Sequence, residues 1–115
     1  MEFVARHRYA PMSARKVRLV VDMIRGTHVN DALQILRATP KRASFFVDSI
    51  LRSAMANADQ SLEADMDNLR VSRAWVDKAP DKGPRHRKWW ARARGRAVMI
   101  TSRSCHIHIV LNDGR

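Results

Sequence analysis

One cysteine, Cys105, stands in a chain of 115 residues. No intramolecular disulfide can form, and this usage fits a reducing compartment. Carboxylates are scarce as well: 11 Asp+Glu face 22 Lys+Arg, a formal net charge of +11. Apolar runs are only a few residues long, far short of the roughly 20 that span a bilayer. The amino end, Met1 to Arg8, lacks the apolar stretch of a secretory signal. With four glycines in all, the chain carries neither a Walker-type phosphate loop nor a dinucleotide fingerprint. These absences exclude disulfide scaffolds, membrane spans and nucleotide-loop enzymes. The expected character is small, soluble and intracellular, with one modest core and a polyanion as partner.

The charge that is present is concentrated. Residues 1–25 carry a net of +4, residues 26–77 a net of −1, residues 78–96 a net of +7 and residues 97–115 a net of +1. A near-neutral body therefore bears two basic segments. Blocks of like charge repel themselves and serve as interaction segments.

Periodicity predicts three helices followed by strands. Ser13 can cap a helix with apolar residues at Val17, Val20, Val21 and Ile24, and Gly26 can end it in a left-handed conformation. Asn30 is the expected cap of a second, short helix closed by Thr39-Pro40. Thr39 and Pro40 are also the expected cap and first residue of a third, with Ala43, Phe46, Val47, Ile50, Ala54 and Ala58 on one face. The period then changes to two. Leu69, Val71 and Trp75 alternate on one expected strand. Cys105, Ile107, Ile109 and Leu111 alternate on another, with Ser104, His106 and His108 opposite and Val98 to Ile100 continuing it upstream. Two strands flanking residues 78–96 imply an antiparallel hairpin connected by the charged block. The whole is expected to be one domain, residues 1–115: a body of about 1–77 and 97–115 and an arm of about 78–96. Such an arm projects roughly 30 Å at about 3.3 Å per residue, and a lone two-stranded ribbon is marginal in water.

Chemistry points to RNA. In the arm, Lys78, Lys82, Arg85, Arg87, Lys88, Arg92, Arg94 and Arg96 can neutralise phosphates, while His86, Trp89 and Trp90 offer flat faces for base stacking. Arg92, Arg94 and Arg96 alternate as on a strand, and Gly95 suits a close approach of something to the backbone. A merely solvated loop would not place adjacent tryptophans in water, and a membrane-interface arm would need a continuous apolar face. A second basic set is Arg6, His7 and Arg8 with Ser13, Arg15, Lys16, Arg18 and Arg25 on the first helix. An ordinary polar helix face is the blander reading of that set. Cys105 points away from His106 and His108 on a strand, which disfavours both a metal site and a nucleophile pair. Glu63, Asp65 and Asp67 lack the glycine and distal glutamate of a calcium loop. No cofactor, metal or catalytic residue is expected.

The run Ser13-Ala-Arg-Lys-Val-Arg-Leu-Val-Val-Asp-Met-Ile-Arg-Gly26 resembles the first-helix signature of the L twenty-two family of large-subunit ribosomal proteins, shared with the eukaryotic and archaeal L seventeen proteins. Ala32 to Leu36, Ser53 to Ala58, Val76-Asp77, Ala93 to Ala97 and Ser104 to Leu111 extend the resemblance in order. It implies an α+β fold, three helices packed on a small antiparallel three-stranded sheet, with a long protruding basic β-hairpin. It further implies a cytoplasmic, ribosomal, non-enzymatic constituent that binds large-subunit rRNA and supports subunit assembly. Neighbouring ribosomal proteins and the nascent peptide in the exit tunnel are the other implied partners, with no membrane and no homo-oligomer. By position, the tunnel-side tip falls at Arg85, His86, Arg87, Lys88, Trp89, Trp90 and Ala91, with Arg92, Arg94 and Arg96 gripping RNA along one arm. A free-standing RNA chaperone or regulator could use the same basic ribbon.

Overall fold

The last strand organises the molecule. Its alternation Cys105, Ile107, Ile109, Leu111 is fully buried, and Val110 is covered on the other face. Burying each Ile, Leu or Val side chain contributes about 1.5–3 kcal/mol. The structure, a computed structural model, describes residues 1–80, 88–100 and 102–114. Among these, the order is β1 (Glu2–Ala10), α1 (Ala14–Ile24), α2 (Val29–Ala38), α3 (Arg42–Asp59), β2 (Arg70–Ala79), β3 (Lys88–Ala91), β4 (Ala97–Ile100) and β5 (Ser104–Asn112). Strands β1, β5 and β2 form an antiparallel sheet with β5 in the middle. Ala5 pairs with Ile109 on one side, and Val76 with Ile107 on the other. The helices cover one face, α3 over β1 and β5 and α1 over β2. The architecture is the expected α+β.

The helices follow from their apolar spacing, with different starts for two of them. Val17, Val20, Val21 and Ile24 form the buried stripe of α1, and Gly26 takes φ 79° just beyond its end. Helix α2 begins two residues earlier than an Asn30 cap would allow. His28 is its cap: Nδ1 accepts from the Asn30 amide at 3.2 Å, while Nε2 lies 2.8 Å from the Asp67 carbonyl. An imidazole acceptor thus replaces the expected amide side chain. Thr39 does close α2, but neither it nor Pro40 starts α3. Lys41 is the cap residue, still extended at ψ 141°, and Ser44 donates its hydroxyl to the Thr39 and Lys41 carbonyls. The buried face of α3 includes Leu51 as well as Ala43, Val47, Ile50, Ala54 and Ala58.

Two strand expectations are corrected. Trp75 does not share a face with Val71. The register slips between Val71↔Leu111 and Arg73↔Val110, so Ser72 is an extra residue and the alternation inverts. Ala74 and Val76 then face the core, and Trp75 faces away. Nor do Val98 to Ile100 continue β5: they lie in β4, which pairs with β3 in a separate two-stranded ribbon, Ala91 opposite Ala97. The ribbon turns at Ala93–Gly95, where Arg94 and Gly95 have φ of 62° and 70°. Two successive left-handed residues make the tight hairpin turn that matches strand twist. Lys88 to Ala91, expected at the tip, are therefore strand, and Arg92, Arg94 and Arg96, expected along a strand, are the turn. A Cβ at Gly95 would meet nothing within 4 Å, so φ rather than crowding requires the glycine. The radius of gyration, 17.5 Å, exceeds the about 13 Å of a compact chain this long.

Replacing Gly95 by valine is expected to cost about 1–2 kcal/mol in the turn. The Tm and the Trp75 indole NMR signal of the free chain should stay unchanged, while within the large subunit the β3 and β4 amides of the variant should exchange faster than those of the parent. A lowered Tm would show that the ribbon supports the sheet.

Candidate nucleic-acid interface

The basic residues of α1 divide into two groups. Arg18 donates Nε and Nη2 to the Val76 carbonyl at 3.3 and 2.9 Å, and Arg25 donates the same pair to Ala74 at 3.0 and 2.8 Å. Arg25 also meets Asp22 at 2.9 Å. Strand β2 is a sheet edge, and its outward carbonyls would otherwise invite another strand. The Gly26 and Val29 amides complete the cover, donating to Val71 and Leu69 at 2.9 and 3.1 Å. Arg18 and Arg25 thus hold α1 to the sheet. Arg15 and Lys16 point outward without a carboxylate partner among the described residues. Ser13 caps α1 through its backbone alone, since its hydroxyl makes no cap hydrogen bond.

The trio Arg6-His7-Arg8 is not one face. His7 pairs with Ile107 and lies 5.7 Å from the Phe46 ring on α3. Arg6 pairs with His108 on the open face of the sheet. There His108 stacks on Trp75 at 4.9 Å and 7°, Arg73 lies 6.0 Å from the Trp75 ring, and Tyr9 meets His106 edge-on at 4.8 Å. Tyr9 is held at φ 58° in a strand irregularity, its amide donating to His106 Nδ1 at 3.1 Å. Strands β1 and β2 are opposite edges of the sheet, so the β1 cations and those of α1 are not brought together.

Burial comes first among the causes that lower the His108 pKa; Asp77, 3.3 Å away, opposes it, and Arg6, His106 and Arg8 add to it. The Cys105 thiol is pushed up by burial, against a smaller pull from Arg18. It lies in the core, on the face opposite His106 and His108. Among the described residues no group of three or more His, Cys, Asp or Glu could hold a metal ion, and no helix is long and apolar enough to cross a membrane.

The ribbon carries the densest exposed cations. Arg92, Arg94 and Arg96 are exposed around its turn. Trp89 and Trp90 are 70% and 56% exposed. As neighbours on a strand they point to opposite faces. Lys78 is exposed near the end of β2. Lys82, Arg85, His86 and Arg87 lie outside the described residues. Three cations that no local pattern singles out, Lys41, Arg42 and Arg103, are also exposed.

Residues 5–112 match the family model described as ribosomal protein L22p/L17e. The chain belongs to the ribosomal protein L22p/L17e family. Membership makes it a structural constituent of the large ribosomal subunit that binds rRNA, working in the cytoplasmic ribosome. Exposed arginines and stacking surfaces suit that role, because phosphate contacts supply most of the affinity and aromatic faces accept bases.

Replacing Arg18 and Arg25 by methionine should destabilise the fold by about 1–3 kcal/mol, since both charged donors to β2 are lost. The same change at Arg15 and Lys16 should leave the melt unchanged and weaken rRNA binding. Equal melts for the two pairs would contradict the assignment. His108, with a lowered folded pKa, stays neutral in the fold while the unfolded chain takes up a proton. Stability should therefore fall as pH drops through the unfolded value near 6.5. Urea titrations between pH 7.5 and 5 check this, and His108→Gln should flatten the dependence.

Proposed function

We propose that this member of the family builds part of the nascent-polypeptide exit tunnel and supports assembly of the subunit around it. The body stays on rRNA through Arg6, Arg8, Ser13, Arg15 and Lys16, with Arg18, Arg25 and His7 holding the elements that present them. The arm, from Lys78 through Lys82 and the ribbon, reaches into RNA. Its tunnel-side surface comprises Arg85, His86, Arg87, Lys88, Trp89, Trp90 and Ala91 together with the turn at Arg92, Arg94 and Arg96. The chain acts as one unit, without homo-oligomer, cofactor or catalysis, among neighbouring ribosomal proteins.

The observation that carries this reading is the ribbon itself. It exposes tryptophans on both faces and arginines at its end, and its side chains at residues 89–98 are all exposed. A ribbon with two apolar faces needs cover on both, which a passage between RNA segments and along a tunnel wall supplies. Binding to large-subunit rRNA should weaken steeply with salt. Replacing Arg92, Arg94 and Arg96 by alanine should reduce the slope of log K against log[salt] by about two to three. The variant should melt like the parent, enter the subunit and alter the chemical footprint of tunnel nucleotides. An unchanged slope would place the turn outside RNA; a changed slope with an unchanged tunnel footprint would place it in RNA away from the tunnel.

A further inference from the structure

The two edges of the three-stranded sheet are finished differently. On β2 the outward carbonyls of Ala74 and Val76 are taken by Arg25 and Arg18, and that of Val71 by the Gly26 amide. The outward edge of β1 has one such cover, Asn57 of α3, whose Nδ2 donates to the Val4 carbonyl at 3.0 Å. Register fixes what else points outward, because alternate residues of an antiparallel strand turn their N–H and C=O to opposite sides. Val76 and Ala74 face away from β5, so their partners Ile107 and Ile109 turn to β1 and bond His7 and Ala5. Val4 and Arg6 therefore face away. The Val4 amide and both main-chain groups of Arg6 have no hydrogen-bond partner among the described residues. Beside this edge α3 carries Arg42, Phe46, Ser49, Ser53 and Asn57 at helical spacing on one face, with Phe46 5.7 Å from His7 and Phe45 70% exposed next to it. The short serines leave the edge open.

We propose that the β1 edge is a strand-addition site that takes an extended, acidic segment of a neighbouring large-subunit protein. The inference rests on the ribosomal role above and adds a protein contact to it. An added strand satisfies the donors and the acceptor of this edge together, whereas phosphates only accept and would leave the Arg6 carbonyl unpaired. The cations beside the edge set the charge of the occupant. Arg6, Arg8 and Arg42 are exposed, and none forms an ion pair among the described residues. Glu2, the one acid of β1, is matched by Arg73 at 2.9 Å. A second copy of β1 would set these arginines against their own kind, which disfavours self-pairing. A guanidinium carries five N–H donors, so Arg6 and Arg8 can meet a carboxylate of the added strand and a phosphate beyond it. Side chains of the added strand that turn toward α3 lie against Phe45 and Phe46.

The test follows hydrogen exchange of the Val4 and Arg6 amides in the free chain, in the chain on purified large-subunit rRNA, and in the chain within the intact subunit. Both should exchange freely in the first two states and about tenfold or more slowly in the third. Protection on rRNA alone overturns the proposal, because RNA then covers the edge; so does a lack of protection in the subunit. With the free chain, an octapeptide of alternating valine and glutamate should shift the Val4 and Arg6 amide signals, and one of alternating valine and lysine should not. A shift with both peptides, or with neither, overturns the acidic strand. Val4→Pro removes the outward amide without breaking a ladder bond. It should keep the Tm and bind the acidic peptide about tenfold more weakly, and unchanged binding would count against the edge. A chain that does not enter the subunit overturns the ribosomal role instead, and the peptide titration still decides the edge.

Discussion

Pairing of β2 with β5 is the constraint on which the rest depends. The two strands are antiparallel neighbours, Val76 opposite Ile107 and Ala79 opposite Ser104, so the chain leaves the sheet and returns to it at one place. Whatever lies between them is closed by that pairing and can lengthen at an entropic cost of only about 0.6 kcal/mol per doubling. Strand β5 is also the one that β1 joins. The sheet therefore draws on both ends of the chain, and the helices between β1 and β2 have a surface to cover only when β5 is in place.

This geometry separates stability from recognition. Among the described residues, the buried side chains belong to β1, the three helices, β2 and β5, with Leu69 just before β2 and Asp113 just after β5. The ribbon's side chains described for residues 89–98 are all exposed. A two-stranded ribbon without a packed face is marginal, and the net +7 of residues 78–96 opposes its compaction. RNA can remove both penalties together, since phosphates would neutralise the charge and bases would cover the indoles. Within α1 the same division runs along one helix. Arg18 and Arg25 complete the edge of β2, while Arg15 and Lys16 stay exposed, so one basic helix divides its cations between the fold and the surface.

The helical body and β5 were legible because their apolar residues keep a regular period: Val17 to Ile24 at helical spacing, Cys105 to Leu111 at a spacing of two. The family was legible from the same blocks. What escaped lay where local geometry breaks the period. A bulge at Ser72 turned Trp75 to the open face, and nothing in the residue types marks it. The turn at Arg94-Gly95 was hidden because arginine in a left-handed conformation is uncommon, although the glycine beside it was a turn signal. His28 capped α2 through a ring nitrogen, a role its neighbour Asn30 fits better by composition. Lys41, Arg42 and Arg103 were invisible as a group because only folding brings them together, beside the start of α1.

The division between a self-sufficient body and an RNA-ordered ribbon can be measured directly by amide hydrogen exchange on the free chain and on the chain within the large subunit. The account predicts that β5 amides from Cys105 to Leu111 are protected in both states, and that β3 and β4 amides gain protection only in the subunit. Equal protection of the ribbon in the free chain, or loss of β5 protection outside the subunit, would contradict it.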